Sequence, residues 1–205
     1  TIIAAELTNG SADVPHYDQV DGIWTRIFAG VGATTIAKVG IAENANAAGS
    51  QGLADGRSLA ILKALFANAP VVLKQVKRTD KILYVTRDFY ENYESYLESN
   101  DKLESSYKKL QDGQEVISFR GVPLVICDIV DQFLEADFTL SGKTTMPHRV
   151  ILTLKDNFQV GVDGETTDPT ALQVWYNVDT EKWNGRLKYK MDTMIAEEQY
   201  LSVAY

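Results

Sequence analysis

Residues 81–97 read KILYVTRDFYENYESYL, and this stretch decides the fold class. Its first six residues are rich in β-branched and aromatic side chains and predict a strand. The spacing then changes. Phe89, Tyr93, Tyr96 and Leu97 recur at helical intervals, with Glu91, Glu94 and Glu98 on other faces, which predicts an amphipathic helix. A strand therefore runs directly into a helix.

Upstream the pattern is helical. Leu59, Leu62, Leu65 and Phe66 mark the buried face of a helix with Asp55 as its candidate N-cap and Asn68-Ala69-Pro70 as its end, because a proline disfavours helical geometry in the residue before it. Val20, Ile23, Trp24, Ile27 and Phe28 predict an earlier helix, opened by Asp21 and stopped by Gly30 and Gly32. Residues 42–52, rich in Ala, Asn, Gly and Ser, read as a flexible loop.

Downstream the texture turns to β. Asp112-Gly113 is a turn signal before a strand at 115–119. Gly121-Val122-Pro123 leads into 124–127, where the missing N–H of Pro123 confines the segment to a strand start or an edge. Strands at 150–154 and 158–162 flank Lys155-Asp156-Asn157, Asp163-Gly164 opens a polar loop, and 172–176 is rich in β formers. Asn184-Gly185 predicts a hairpin turn. Leu187, Tyr189 and Met191, alternating with Lys188 and Lys190, predict the strand after it. The sum is an α+β chain, helices dominating the first half and antiparallel strands the second.

Composition narrows the function. The chain has 205 residues, with 45% apolar and 23% charged side chains, which excludes disorder as its main state. Twenty Lys and Arg against 28 Asp and Glu give a net charge of −8. Basic residues occur only in short pairs such as Lys77-Arg78 and Lys108-Lys109, so tight nucleic-acid binding is not expected. No apolar run approaches the ~20 residues of a membrane span. The single cysteine, Cys127, allows no intramolecular disulfide and no cysteine-based zinc site. The chain opens at Thr1, with no basic start and apolar core of a signal peptide. It reads as a processed form or a fragment.

The motifs that carry chemistry are mostly missing. Of two histidines, His16 and His148, neither stands beside a nucleophile motif, and both read as structural. Cys127 lies in an apolar run and reads as a small hydrophobe. Asp128, Asp131, Glu135 and Asp137 are spaced too irregularly for a calcium loop and read as a solvated acidic loop. Gly30-Val31-Gly32 follows a helix, so it is no nucleotide fingerprint. No catalytic, cofactor-binding or metal residue is assigned, and no enzyme activity is expected. Tyr90, Tyr93, Tyr96 and Tyr107 cluster in a charged region; the helix bearing Tyr93 and Tyr96 faces either another subunit or its own domain.

The order of segments carries more than any site. The helix at 59–66, the strand 81–86 followed by Asp88-Phe89-Tyr90, and Asp112-Gly113 leading into Arg120-Gly121-Val122-Pro123-Leu124-Val125 together resemble the tailed-bacteriophage major capsid protein family. So do Pro147-His148-Arg149-Val150-Ile151-Leu152-Thr153, Asp156-Asn157-Phe158-Gln159-Val160-Gly161, and the ending from Trp175 to Tyr205. Members from Bacteroides-infecting phages are most similar. The resemblance begins near Asp55; residues 1–50 match less well.

The resemblance implies a major-capsid-type fold with an axial and a peripheral domain. Residues 1–86 would supply peripheral-domain helices and the first strand, 87–170 mainly the axial domain, and 171–205 the return hairpin and closing segment of the peripheral domain. It implies a chain lacking the family's N-terminal arm. It also implies a structural subunit of a phage or prophage, made in the bacterial cytoplasm, that self-assembles into an icosahedral virion shell around DNA. Its partners would be copies of itself, with a scaffold and a maturation protease, and neither a membrane nor specific nucleic acid. Tyr93, Tyr96 and Trp183 are the candidate assembly or packing positions. An encapsulin-type compartment shares the same fold. From other classes, a hydrolase would need Asp128, Asp131 and His148 to converge, and a binding module would need a discrete aromatic pocket.

Overall fold

The computed structural model describes residues 22–45, 51–102, 107–109, 115–137, 139–140, 143–162, 172–178, 181–187 and 191–205. The predicted strand at 81–86 becomes β2 (Lys81–Val85), the middle of a seven-stranded mixed sheet. On one side of it lie β8 (Val150–Leu154), β13 (Ser202–Ala204) and the edge strand β1 (Ala37–Val39); on the other lie β5 (Val122–Ile126), β4 (Glu115–Phe119) and β3 (Tyr107–Lys109). β2 pairs antiparallel to β8 and parallel to β5, and β1 runs parallel to β13. The sheet thus draws strands from all three stretches 1–86, 87–170 and 171–205.

Both faces of the sheet are covered, and side-chain alternation sorts them. Leu83, Val85, Leu124, Val150 and Leu152 point toward helices α2 (Arg57–Asn68) and α4 (Arg87–Ser99), where Leu62, Leu65, Phe89, Tyr93 and Leu97 meet them. Ile151 and Val203 point the other way, toward Ile23, Trp24 and Ile27 of α1 (Ile23–Gly32). The tyrosine-bearing helix α4 therefore packs on its own domain. Pro123 sits beside Ser118 in β4, one residue before β5 begins pairing with β2 at Leu124, so its missing donor costs the central ladder nothing.

Four expectations are corrected. α1 runs through Gly30 to Gly32. A Cβ on Gly30 would collide with the Ile36 side chain, so the glycine serves a close approach within the helix instead of ending it. Asp55 does not cap α2: the chain enters that helix through Gly56 in the left-handed conformation, φ +68°. The capping oxygen comes from α4. Asn92 Oδ1 accepts from the Ser58 backbone N–H (3.2 Å) and hydroxyl (2.8 Å), while its amide donates to the carbonyls of Leu53 and Ala54.

Third, Asp128–Asp137 is a helix, α5, not an acidic loop. Val130 and Leu134 fall four apart on a buried face, and Asp128 and Asp131 suit the positive end of the helix. Fourth, Asn184-Gly185 forms no turn. It lies inside β11 (Lys182–Leu187), with Gly185 opposite Val174 of β10 (Leu172–Asn177). The connection is at 178–181, where cross-strand contact between Tyr176 and Trp183 outweighs the local turn signal. The strands read at 150–154 and 158–162 both form, but not as partners of each other. β9 (Phe158–Val162) instead forms a two-stranded ribbon with β12 (Met191–Ile195). The two short strands β6 (Thr139–Leu140) and β7 (Lys143–Thr144) pair with each other.

The loop expected over 42–52 is described at its ends only. Residues 42–45 form a 3₁₀ turn. Asn44 exchanges two hydrogen bonds with the His148 backbone (2.7 and 3.0 Å), and Gln51 exchanges two with that of Thr144 (2.7 and 3.0 Å). The turns expected at Asp112-Gly113 and Asp163-Gly164, the residues Asp21 and His16, and the alternation at 188–190 lie outside the described residues.

Asn92→Ala removes an inter-helix cap and leaves backbone and hydroxyl groups unpaired. It should destabilise the fold by about 2–3 kcal/mol. Asp55→Ala should stay within about 0.5 kcal/mol of the parent, as a surface change does. Urea unfolding of both variants checks the assignment, and equal losses would refute it.

Candidate functional site

Three surfaces stand out once the fold is built. The first is the β10–β11 ribbon. Directly paired residues share a face, so Val174, Tyr176, Trp183 and Gly185 lie on one face and Gln173, Trp175, Asn184 and Arg186 on the other. The Tyr176 and Trp183 rings are 5.3 Å apart. The first face is uncharged at these positions yet open to solvent: Trp183 is 74% exposed, and Val178, at the β10 end, is 77%. A two-stranded ribbon is marginal in water by itself, and aromatic surface of this kind marks a contact site.

The second surface is a groove of about 450 Å³ at the β4–β5 turn, lined by Lys63, Tyr93, Tyr96, Lys102 and Arg120 among others. Phe119 pairs with Val122, so Arg120-Gly121 is a two-residue hairpin loop. Both of its residues have positive φ, +52° and +79°, as a type I′ turn requires. Glycine takes this conformation freely; for Arg120 it costs roughly 1–2 kcal/mol. The Arg120 guanidinium lies 5.2 Å above the Phe119 ring and 5.7 Å from that of Phe66, a cation–π arrangement that fixes its direction.

The third is an apolar cleft of about 180 Å³ between α1, β2, β8, β9 and the start of α5, lined by Trp24, Tyr84, Cys127, Val130, Arg149 and Phe158 among others. The buried Arg149 guanidinium stacks 4.8 Å from the Trp24 ring and donates from Nε to the Met146 carbonyl (2.9 Å). Burial, with the Asp131 and Asp128 charges adding to it, pushes the Cys127 thiol up to about 12. At neutral pH the group is a thiol, consistent with a packing role.

The hydrolase arrangement needs Asp128, Asp131 and His148 in one cleft, and each has another engagement. His148 is 1% exposed and its Nε2 bonds the Gln51 carbonyl. Asp131 accepts the Arg87 backbone N–H at 2.7 Å, capping the first turn of α4 from α5. Asp128 pairs with the Arg87 guanidinium at 2.5 Å. Among the described residues no group of three His, Cys, Asp or Glu could hold a metal ion, and no helix is long and apolar enough to cross a membrane.

Of the three residues singled out from sequence, Tyr93 is buried against the Phe119 ring (6.1 Å), and burial raises its hydroxyl to about 12. Tyr96 is half-buried at the groove, and Trp183 stands exposed on the ribbon. The structure therefore brings Tyr93 and Tyr96 to one groove and leaves Trp183 on a separate surface. Sequence reasoning missed Arg120, because arginine is not among the residues that favour the first position of such a turn.

Burial, with Asp88 and Asp128 adding to it, raises the Asp131 carboxyl to about 6, against the lowering effect of the Arg87 N–H. A folded value above the unfolded one gives stability that is complete below about pH 4 and lost as pH rises through about 6. Lowering the pH from 7 to 5 should therefore stabilise the chain by about 1 kcal/mol, allowing for solvent screening of this half-buried group. Asp131→Asn keeps an acceptor for the Arg87 N–H and should flatten that response. Urea titrations at the two pH values check this, and parallel curves for parent and variant would refute it.

No protein-family model matches the chain, and no curated protein sequence does. Among solved structures, it is similar to a chain from Mycobacterium phage Che8, with 9% identity and a TM-score of 0.45 over 88% of this chain and 61% of that one. It is also similar to a chain of the satellite phage P4 procapsid that includes the size determination (Sid) protein. Identity there is 12% and the TM-score 0.48, over 96% of this chain and 54% of that one. A third is a chain of the holo-SrpI encapsulin complex from Synechococcus elongatus PCC 7942, at 13% identity and a TM-score of 0.43, covering 100% and 69%. This chain spans 61% and 54% of the length of the two phage-derived chains.

Proposed function

We propose that this chain is a structural subunit of a bacteriophage or prophage capsid, self-assembling with copies of itself into an icosahedral shell that encloses DNA. The observation that carries the reading is the β10–β11 ribbon, which displays Tyr176 and Trp183 on an uncharged face in solvent. Such a face gains free energy when another surface covers it, by about 25 cal/mol for each Å² removed from water. The segment order that resembles the capsid family supplies the kind of assembly. In this reading the ribbon belongs to the peripheral-type part of the subunit, which joins neighbouring rings, and α4 to the axial-type part.

The acidic balance supports the reading in a second way. A net charge of −8 suits the wall of a container that must not grip the polyanion within, since strong attraction to phosphates needs clustered cations.

Negative-stain electron microscopy and light scattering of this chain test the proposal. Rings or shells are expected from the parent. Trp183→Glu should abolish them while costing only about 1 kcal/mol of stability, since its side chain is exposed and loses one cross-strand contact with Tyr176. Tyr93→Glu should lose the fold itself, by about 4 kcal/mol or more, since it buries a charge beside Phe119. A parent that stays monomeric at high concentration and forms no particles would overturn the self-assembly claim.

A further inference from the structure

We infer that the basic groove at the β4–β5 turn receives the acidic surface of a second copy of this chain, in a head-to-tail contact. The inference rests on the self-assembly reading and names the partner surface. Lys63 comes from α2, Lys102 follows α4 and Arg120 sits in the turn, so three separate elements bring cations to one groove. No Asp or Glu among the described residues lines it, in a chain where acids outnumber bases 28 to 20. Arg120 holds a left-handed backbone that Asn, Asp or Gly adopts more readily. Its guanidinium is already oriented by Phe66 and Phe119. Orientation before contact lowers the entropy lost on binding a carboxylate.

The complementary surface lies on the same molecule but at the other end of its central elements. Asp88 and Glu91 are exposed on the first turns of α4, and Asp128 is exposed at the start of α5. Among the described residues Arg87 lies with them, paired with Asp128 at 2.5 Å and near Glu91 at 3.8 Å. The surface therefore keeps a net negative charge, and Asp88 and Asp128 help raise the half-buried carboxyl of Asp131. Along α4, Asp88 and Tyr96 are separated by roughly 12 Å at helical rise. β5 begins just after Arg120-Gly121 and ends just before Asp128, so the two surfaces flank its opposite ends. A copy cannot close such a pair on itself. Two different patches meeting between copies form a heterologous interface, which repeats into a ring when the rotation closes. Arginine is suited to the contact because its planar fork binds a carboxylate through two hydrogen bonds.

The test is light scattering of the full chain across 50 to 500 mM salt, with Trp183→Glu run alongside. The variants are Arg120→Asn, which removes the charge but suits the turn, Lys63→Glu on the groove, and Asp88→Lys with Glu91→Lys on the acidic surface. Each should weaken association at least tenfold without lowering the melting temperature by more than a few degrees, and salt should weaken the parent. Mixing the Lys63→Glu chain with the Asp88→Lys/Glu91→Lys chain should restore a pair and nothing larger, because one intact groove then meets one intact acidic surface. If the groove variants associate like the parent while Trp183→Glu does not, this inference fails and the shell reading stands. A parent that is monomeric under all conditions refutes both. A short single-stranded oligonucleotide that binds the parent and not Arg120→Asn, with self-association unchanged, would assign the groove to phosphate and overturn the proposal.

Discussion

Strand β2 has to bury both of its faces and both of its edges at once, and the remaining architecture answers that constraint. Leu83 and Val85 face one layer and Tyr84 the other, while β8 and β5 take the two edges. A strand in that position cannot be completed by its sequence neighbours alone. The helix that follows it, α4, returns across one face, and chain from distant segments supplies β8, β13 and α1. The cost of leaving backbone donors or acceptors of a buried strand unpaired exceeds that of closing the long loops which bring these segments together.

The same constraint explains where the helices take their caps. α2 and α4 meet over one sheet face, so Asn92 of α4 lies where the first turn of α2 needs an acceptor. α5 follows β5, so Asp131 arrives at the first turn of α4. Both of these helix starts are thus satisfied by a neighbour in space. Rotating α4 would uncap α2, and rotating α5 would uncap α4, which couples these elements more tightly than apolar contact alone, because hydrogen bonds carry direction.

Against this well-packed body the β10–β11 ribbon and the Arg120 groove are exceptions. One exposes apolar surface without burying it, and the other gathers cations in an acidic chain. Departures from local consistency concentrate at functional sites. In the proposed assembly both departures serve association, one through apolar area and one through charge. Apolar area supplies affinity, while charge complementarity fixes orientation and rejects wrong partners.

Residues 81–97 determined by themselves that a strand passes into an amphipathic helix, because hydrophobic period is a property of the local chain. That Phe89, Tyr93 and Leu97 share one face was legible for the same reason, though not what that face packs against, and so was the end of α2 before Pro70. Three matters were decided only by the tertiary structure. The cap of α2 moved from Asp55 to Asn92, since a capping oxygen need only be near in space. The Asn184-Gly185 turn became strand, since pairing across two strands outweighs a local turn preference. Trp183 and Arg120 emerged on separate surfaces, since exposure depends on what the rest of the chain leaves uncovered, and no short stretch of sequence contains that information.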